Sequence, residues 1–258
     1  MNGLQVVVIT GAAQGIGRRC AEVFAGAGYA LALYDRLPLD EVLGALPTGT
    51  DALAFSGDVT DEASIDLCRQ AAERRWGAVD ALVNNAGVSL IRPAEHTSAD
   101  EFRGVLDVNL TGPFLLCRAF GADMLARGAG SIVNVASVAG LLGIADRAAY
   151  NASKHGLIGL TRTLAAEWGG RGVRVNALCP GWVKTEMDER DSGPGTYTAA
   201  DIEARVPMGR FASPDDIARA ALYLADPAQS PFVNGVALSV DGGWAADGSW
   251  DSLRLRKR

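Results

Sequence analysis

The segment Leu4–Gly17, LQVVVITGAAQGIG, carries a nearly unbroken apolar run into a cluster of glycines. Val6 to Ile9 are all apolar and show no alternation, the pattern of a strand covered on both faces, as in a parallel sheet. From Gly15 to Ala27 the pattern turns helical, so the segment reads as a strand, a tight turn and a helix. Gly11, Gly15 and Gly17 let the backbone turn sharply and approach a pyrophosphate closely. The start of the helix would add N–H donors and positive potential. The spacing T-G-x-x-x-G-x-G departs from the G-x-G-x-x-G dinucleotide pattern, and a plain glycine-rich turn is the alternative reading.

Outward from this unit the same alternation continues. Strands are expected at Tyr29–Tyr34, Ala52–Gly57, Val79–Asn84, Ser131–Ala136, Val173–Leu178 and Val236–Val240. Helices are expected at Asp61–Trp76, with Thr60 as N-cap, and at Ser98–Thr111, Gly112–Ala126, Tyr150–Trp168 and Ser213 to Leu224. Strands alternating with helices predict an α/β fold, a single doubly wound parallel sheet flanked by helices on both faces. No repeat or linker divides residues 1–258, so the chain reads as one domain. Pro38–Thr50 reads as irregular, 186–210 as a lid, and 244–258 as a C-terminal extension.

Composition narrows the function. The 258 residues are 48% apolar and 21% charged, with a net charge of −6, which suits a soluble protein and argues against nucleic acid as a partner. The local exception is the terminal run Arg254, Arg256, Lys257 and Arg258. Cys20, Cys68, Cys117 and Cys179 form no C-x-x-C and read as reduced, buried thiols of a cytoplasmic protein. His96 and His155 lack ligand spacing, so no metal is expected. No run is long enough to span a membrane, and no leader is expected before the first strand.

Two places carry chemistry. Tyr29–Tyr34 ends at Asp35, 18 residues past Gly17, where a carboxylate can accept hydrogen bonds from an adenosine ribose and repel a 2′-phosphate. This favours NAD over NADP, although Arg18 and Arg36 pull the other way. The second place is Ser137 and Tyr150-x-x-x-Lys154. Four residues apart on a helix, Tyr150 and Lys154 share a face, and the ammonium favours the phenolate. A serine hydroxyl from the preceding strand end can hold a substrate oxygen beside the phenol, which makes a proton-transfer site for an alcohol–ketone pair. A surface Y-x-x-x-K on an ordinary helix is the plainer alternative.

Together, TGAAQGIG at Thr10–Gly17, NNAG at Asn84–Gly87, Ser137 and Tyr150-x-x-x-Lys154 resemble the short-chain dehydrogenase/reductase family, in its order and spacing from Val6 to Gly243. The resemblance implies a Rossmann-like fold and Asn109 as a fourth catalytic residue, at a local kink whose backbone carbonyl would hold a water against Lys154. It implies that Gly11, Gln14, Gly15, Ile16, Gly17, Asp35, Asp58, Val59, Asn85, Ala86, Gly87, Tyr150 and Lys154 bind the cofactor. Pro180, Gly181, Val183 and Thr185 match P-G-x-V-x-T and would hold the nicotinamide carboxamide. Helices 112–126 and 150–168 are apolar nearly all round, and the family packs them across a two-fold axis, so a homodimer or homotetramer is expected.

The function expected is NAD-dependent interconversion of a secondary alcohol and a ketone. One alternative is a 3-oxoacyl-thioester reductase using NADPH. Another is a non-catalytic nucleotide sensor, which the presence of all four catalytic residues opposes. For the small-molecule substrate, Leu141, Leu142 and Ile144 offer an apolar wall, and Arg92, Arg147 and Trp182 suit a polyol, sugar or sugar acid. Surface arginines and lid packing are the alternative. The tail, with Trp244, Trp250, Leu253 and Leu255, is expected at a subunit interface, its apolar side chains being costly to leave exposed.

Overall fold

Seven apolar runs become the strands β1 (Val6–Thr10), β2 (Ala30–Asp35), β3 (Ala52–Ser56), β4 (Ala81–Asn84), β5 (Gly130–Val135), β6 (Val173–Pro180) and β7 (Ala237–Val240). The computed structural model describes residues 4–191 and 197–249, of which 189–191 for their backbone alone. The strands form one sheet in the order β3-β2-β1-β4-β5-β6-β7, every neighbouring pair parallel. Parallel neighbours need long crossovers. These contain α1 (Gly15–Gly26), α2 (Asp40–Ala45), α3 (Glu62–Trp76), α4 (Ala99–Leu106), α5 (Gly112–Arg127) and α6 (Ala148–Trp168). Beyond β6 lie α7 (Glu186–Asp191), α8 (Ala199–Arg205) and α9 (Pro214–Ala225).

Alternate side chains of a strand point to opposite faces, and β1 divides its valines accordingly. Val7 and Ile9 pack with Cys20, Ala21 and Phe24 of α1 and with Ile217, Ala221 and Leu224 of α9. Val6 and Val8 pack on the other face with Ile65 and Cys68 of α3 and Leu116, Phe120 and Met124 of α5. Each such large side chain, fully buried, contributes roughly 1.5–3 kcal/mol. The chain runs outward from β1 to β3, returns to β4, and runs outward the other way. At that reversal the carboxyl ends of β1 and β4 leave a crevice, the place where such sheets bind ligands.

Several local expectations need correction. The Pro38–Thr50 stretch contains α2, whose Val42 is buried in the core. Asp61, not Thr60, caps α3: its side chain accepts from the Ala63 N–H at 3.0 Å, while Thr60 donates to Asp58. The helix expected over Ser98–Thr111 ends at Leu106, and Asp107–Thr111 is a π turn. The supposed lid is also less irregular than its composition implies. It holds α7 and α8, the latter opened by a reciprocal cap between Thr198 and Asp201. All four cysteines are free and buried, and among the described residues no helix is long and apolar enough to cross a membrane.

The turn after β1 leaves no room for a side chain at its second backbone crossing. A Cβ on Gly17 would stand 1.9 Å from the Gly11 carbonyl oxygen, whereas one on Gly26, at the far end of the same helix, would meet nothing within 4 Å. Gly17→Ala is therefore expected to destabilise the protein by about 1–3 kcal/mol through overpacking. Gly26→Ala should be neutral or stabilising by up to about 1 kcal/mol, since alanine is the better helix former. Urea unfolding of the two variants measures this. Equal midpoints would mean that the close approach does not exist.

Candidate active site

A cleft opens along the carboxyl edge of the sheet. At β1 its floor is backbone. Gly11 has φ +63° and Gly15 φ +53°, both in the left-handed region, and a Cβ on Gly11 would lie 2.8 Å from the Ala86 Cα. Gln14 precedes α1 without a side-chain capping bond, and the first turn carries no acid. Gln14 thus caps none of the first amides of α1, which lie with the positive end of the helix dipole beside the cleft. Gly11, Gln14, Gly15 and Ile16 all line it. Gly17 does not; it is buried behind Gly11, so its expected cofactor contact is corrected to a packing role.

The neighbouring walls are tied to this turn. Asp35 Oδ2 accepts from the Ala13 N–H and Oδ1 from the Leu37 N–H, each at 2.9 Å. This carboxylate anchors the turn and still keeps lone pairs for further donors. Arg36 lines the cleft but reaches Asp58 at 3.4 Å, and Arg18, outside it, pairs with Glu22 at 3.5 Å and Glu41 at 3.9 Å. Asp58 and Val59 line the same end. Asn85 Nδ2 donates to the carbonyls of Thr10 at 3.0 Å and Gly11 at 3.1 Å, and Thr10 Oγ1 accepts from the Asn85 and Ala86 N–H groups at 3.0 Å. Asn85, Ala86 and Gly87 form that wall; Pro180, Gly181, Val183 and Thr185 form the one beyond β6.

Ser137, Tyr150 and Lys154 line the cleft together. Ser137 Oγ accepts from the Ala139 N–H at 3.1 Å. Lys154 is 4% exposed, donates to the Val135 carbonyl at 2.8 Å, and lies 5.6 Å from the centre of the Tyr150 ring. Burial pushes its ammonium down to about 8, against an opposing pull from Cys179. Asn109 is fully buried in the π turn and does not line the cleft. Its Oδ1 accepts from the Val88 N–H at 2.8 Å, and its Nδ2 donates to the Val88 carbonyl at 2.9 Å and to Ser153 Oγ at 3.2 Å. Ser153 in turn donates to the Tyr150 carbonyl at 2.7 Å, so Asn109 connects the exit of β4 to the helix that carries Tyr150. Asn109 Oδ1 and Lys154 Nζ converge on Gly87, where a Cβ would lie 3.2 Å from one and 3.7 Å from the other.

At the opposite end the expectations divide. Arg147, Trp182 and Ile144 line the cleft. Arg92 does not: its guanidinium pairs with Glu101 at 2.6 Å, and only its backbone bridges to Arg147. Leu141 packs into the core beside Leu157 and Ile158, and neither it nor Leu142 lines the cleft. Trp244 stacks on Trp182 of its own chain, with centroids 4.4 Å apart. Trp250, Leu253, Leu255 and the terminal basic residues lie outside the described residues. Sequence reasoning missed Tyr197 and Asp188, which line this end and bond to each other at 2.9 Å. The available signal was the Thr198-x-x-Asp201 box, which marks a helix start just after Tyr197.

A family model described as enoyl-(acyl carrier protein) reductase matches residues 11–245. D-threitol dehydrogenase of Mycolicibacterium smegmatis is 41% identical over 244 residues, 93% of this chain and 92% of that one. Galactitol 2-dehydrogenase (L-tagatose-forming) of Cereibacter sphaeroides is 43% identical over 244 residues, 92% of this chain and 93% of that one. The solved structure of ElxO with NADP bound superposes with a TM-score of 0.88 at 29% identity, covering 95% of this chain and 100% of that one. Matched from the glycine-rich turn past the last strand, the chain belongs to the short-chain dehydrogenase/reductase family of NAD(P)-binding oxidoreductases.

Proposed function

We propose that this protein oxidises a secondary hydroxyl of a polyol, sugar or sugar acid to the ketone, with NAD preferred over NADP. The observation that carries the reading is the meeting of Ser137, Tyr150 and Lys154 in the cleft whose other end is the glycine turn. The names of the threitol and galactitol dehydrogenases support the substrate class.

The residues fit a dinucleotide, because glycine backbone and the first amides of α1 form a cradle that side chains at 11 or 15 would fill. Gly11, Gln14, Gly15 and Ile16 would hold the pyrophosphate, Asp35 the ribose, and Asp58 and Val59 the adenine. Asn85, Ala86 and Gly87 would line the middle. Pro180, Gly181, Val183 and Thr185 would hold the nicotinamide end, with Tyr150 and Lys154 at its ribose. Glu186 Oε2 lies 3.3 Å from where a Gly15 side chain would begin, so a pyrophosphate there displaces it. When bound, the nicotinamide supplies the hydride acceptor. Tyr150 takes the proton of the substrate hydroxyl. Ser137 Oγ, already accepting from Ala139, keeps its own proton to donate to the substrate oxygen. Lys154 brings positive charge to the phenol while it stays protonated, below about pH 8. Asn109 acts at one remove, positioning Tyr150 and the segment after Gly87.

The NAD preference rests on Asp35, whose ionised carboxylate repels a 2′-phosphate, while Arg18 and Arg36 already have acidic partners. The NADP in the ElxO structure means that family membership alone does not make this choice. The acyl carrier protein in the family model's description supports a second reading, a 3-oxoacyl-thioester reductase, for which NADPH would be the expected cofactor. Self-association through α5 and α6 is also part of the proposal, supported by Phe114, which is 43% exposed on α5. A monomeric mass by light scattering would rule it out.

Two kinetic measurements test this reading. Tyr150→Phe should slow hydride transfer by at least ~10²-fold with NAD affinity little changed, the scale of general acid–base catalysis. A near wild-type rate would refute the assignment of the base. Wild type should show higher kcat/KM with NAD than with NADP. Asp35→Asn should narrow that ratio while keeping an acceptor for the Ala13 N–H, and Asp35→Ala should narrow it and weaken both cofactors. A wild-type preference for NADP would instead support the thioester reductase.

A further inference from the structure

The geometry points to a carboxylate as the second group this cleft recognises, bound by Arg147, so that the substrate is a hydroxy acid rather than a neutral polyol. This rests on the oxidoreductase reading above and narrows it.

Arg147 stands at the start of α6, one turn ahead of Tyr150, and lines the cleft. Its backbone is fixed on both sides, by the bridge to Arg92 and by the Asn151 N–H, which donates to its carbonyl at 2.8 Å. The guanidinium carbon lies 5.7 Å from the centre of the Trp182 ring and 5.9 Å from that of Tyr197. Those two rings meet at 89° with centroids 5.8 Å apart, so they form a corner that the cation occupies. Trp182 is backed in turn by Trp244, over which Arg205 lies at 4.9 Å. The corner is therefore built in depth.

Aromatic faces attract a cation and strip part of its water, yet they do not neutralise it. Among the described residues no carboxylate comes within ion-pair distance of Arg147, whereas Arg92 is neutralised by Glu101. The acids lining the cleft are accounted for elsewhere. Asp188 accepts from the Tyr197 hydroxyl, Glu186 lies at Gly15, and Asp35 and Asp58 are at the far end. Among the described residues nothing is seen accepting from the Arg147 edge donors, and a planar guanidinium matches a carboxylate in a bidentate fork, such charge-assisted bonds being about twice as strong as neutral ones. A polyol hydroxyl offers Arg147 only a neutral acceptor. Because Arg147 and Tyr150 are one turn apart, the acid and the reacting carbinol belong to one small molecule.

The test uses the full-length protein with NAD and with NADP. D-gluconate, D-galactonate and D-threonate are compared with D-glucitol, galactitol and D-threitol, and glutarate serves as a non-reactive acid. At least one aldonate should exceed its alditol in kcat/KM by about tenfold or more, and glutarate should compete with it. Arg147→Gln should shrink that aldonate-to-alditol ratio by about tenfold, with Arg147→Lys in between. A purely structural Arg147 would lower both series by the same factor, and that result overturns the inference. So does a wild-type preference for alditols. If Arg147→Gln fails to fold, Arg147→Lys and glutarate decide, and absence of glutarate inhibition of wild type overturns the inference. No turnover of either series with either cofactor sinks the polyol and sugar-acid reading and this one with it.

Discussion

The ends of β1 and β4 must lie against each other before any of the cleft exists. Thr10 and Asn85 accomplish this by exchanging side-chain and backbone hydrogen bonds across the topological break in the sheet. Backbone groups that leave a strand under cover must find partners, and here each segment supplies those of the other. The approach is so close that only glycine fits at 11 and at 17. Asp35 then bonds the turn from the β2 side. One seam therefore sets the height of α1 above the sheet, the direction of its first amides and the position of the acidic side chain beside them.

A second seam lies under the reacting groups. Asn84 donates to Asn134, and Asn134 to Thr161, so that β4, β5 and α6 are joined through a buried polar chain. Asn109 makes the parallel connection at the carboxyl end, through Val88 and Ser153. Burying an ammonium costs several kcal/mol, and the Val135 carbonyl offsets only part of that for Lys154. Asn84 Oδ1 has no hydrogen-bond partner among the described residues, but the bonded members of this polar chain still make the site rigid, because shifting one strands the next in a low dielectric. The π turn widens the helix at Asn109 and so lets its side chain reach across to Val88.

The strands and the glycine turn are legible in the sequence because burial on both faces demands continuous apolar runs, as in Val6–Ile9. The sharing of one cleft by Ser137, Tyr150 and Lys154 is legible because helix period and strand end dictate it. Side-chain direction in loops is not legible. Arg92 and Arg147 look equivalent as text, yet one turns to Glu101 and the other into an aromatic corner, because their backbones pair and their side chains diverge. Leu141 looks like cleft wall and goes to the core, where Leu157 and Ile158 cover it. Gly17 looks like a cofactor contact because spacing cannot separate a glycine that faces a ligand from one that faces another glycine. Helices α7 and α8 escape notice because their short spans carry no sustained apolar stripe, and α8 declares itself mainly through its cap.

The parallel stacking of Trp182 on Trp244, with planes 10° apart, has an optical consequence. Two indoles at this separation couple their strong far-ultraviolet transitions, which produces paired dichroism bands that isolated tryptophans lack. Trp182 borders the cleft and touches the Arg147 cation, a charge able to shift or quench indole emission. Trp76 is held by Asp51 and Trp168 packs at Gly121, both away from the cleft, so they add a steady background. The protein thus carries its own chromophore pair at the Arg147 end of the cleft, and occupancy there is readable without a label.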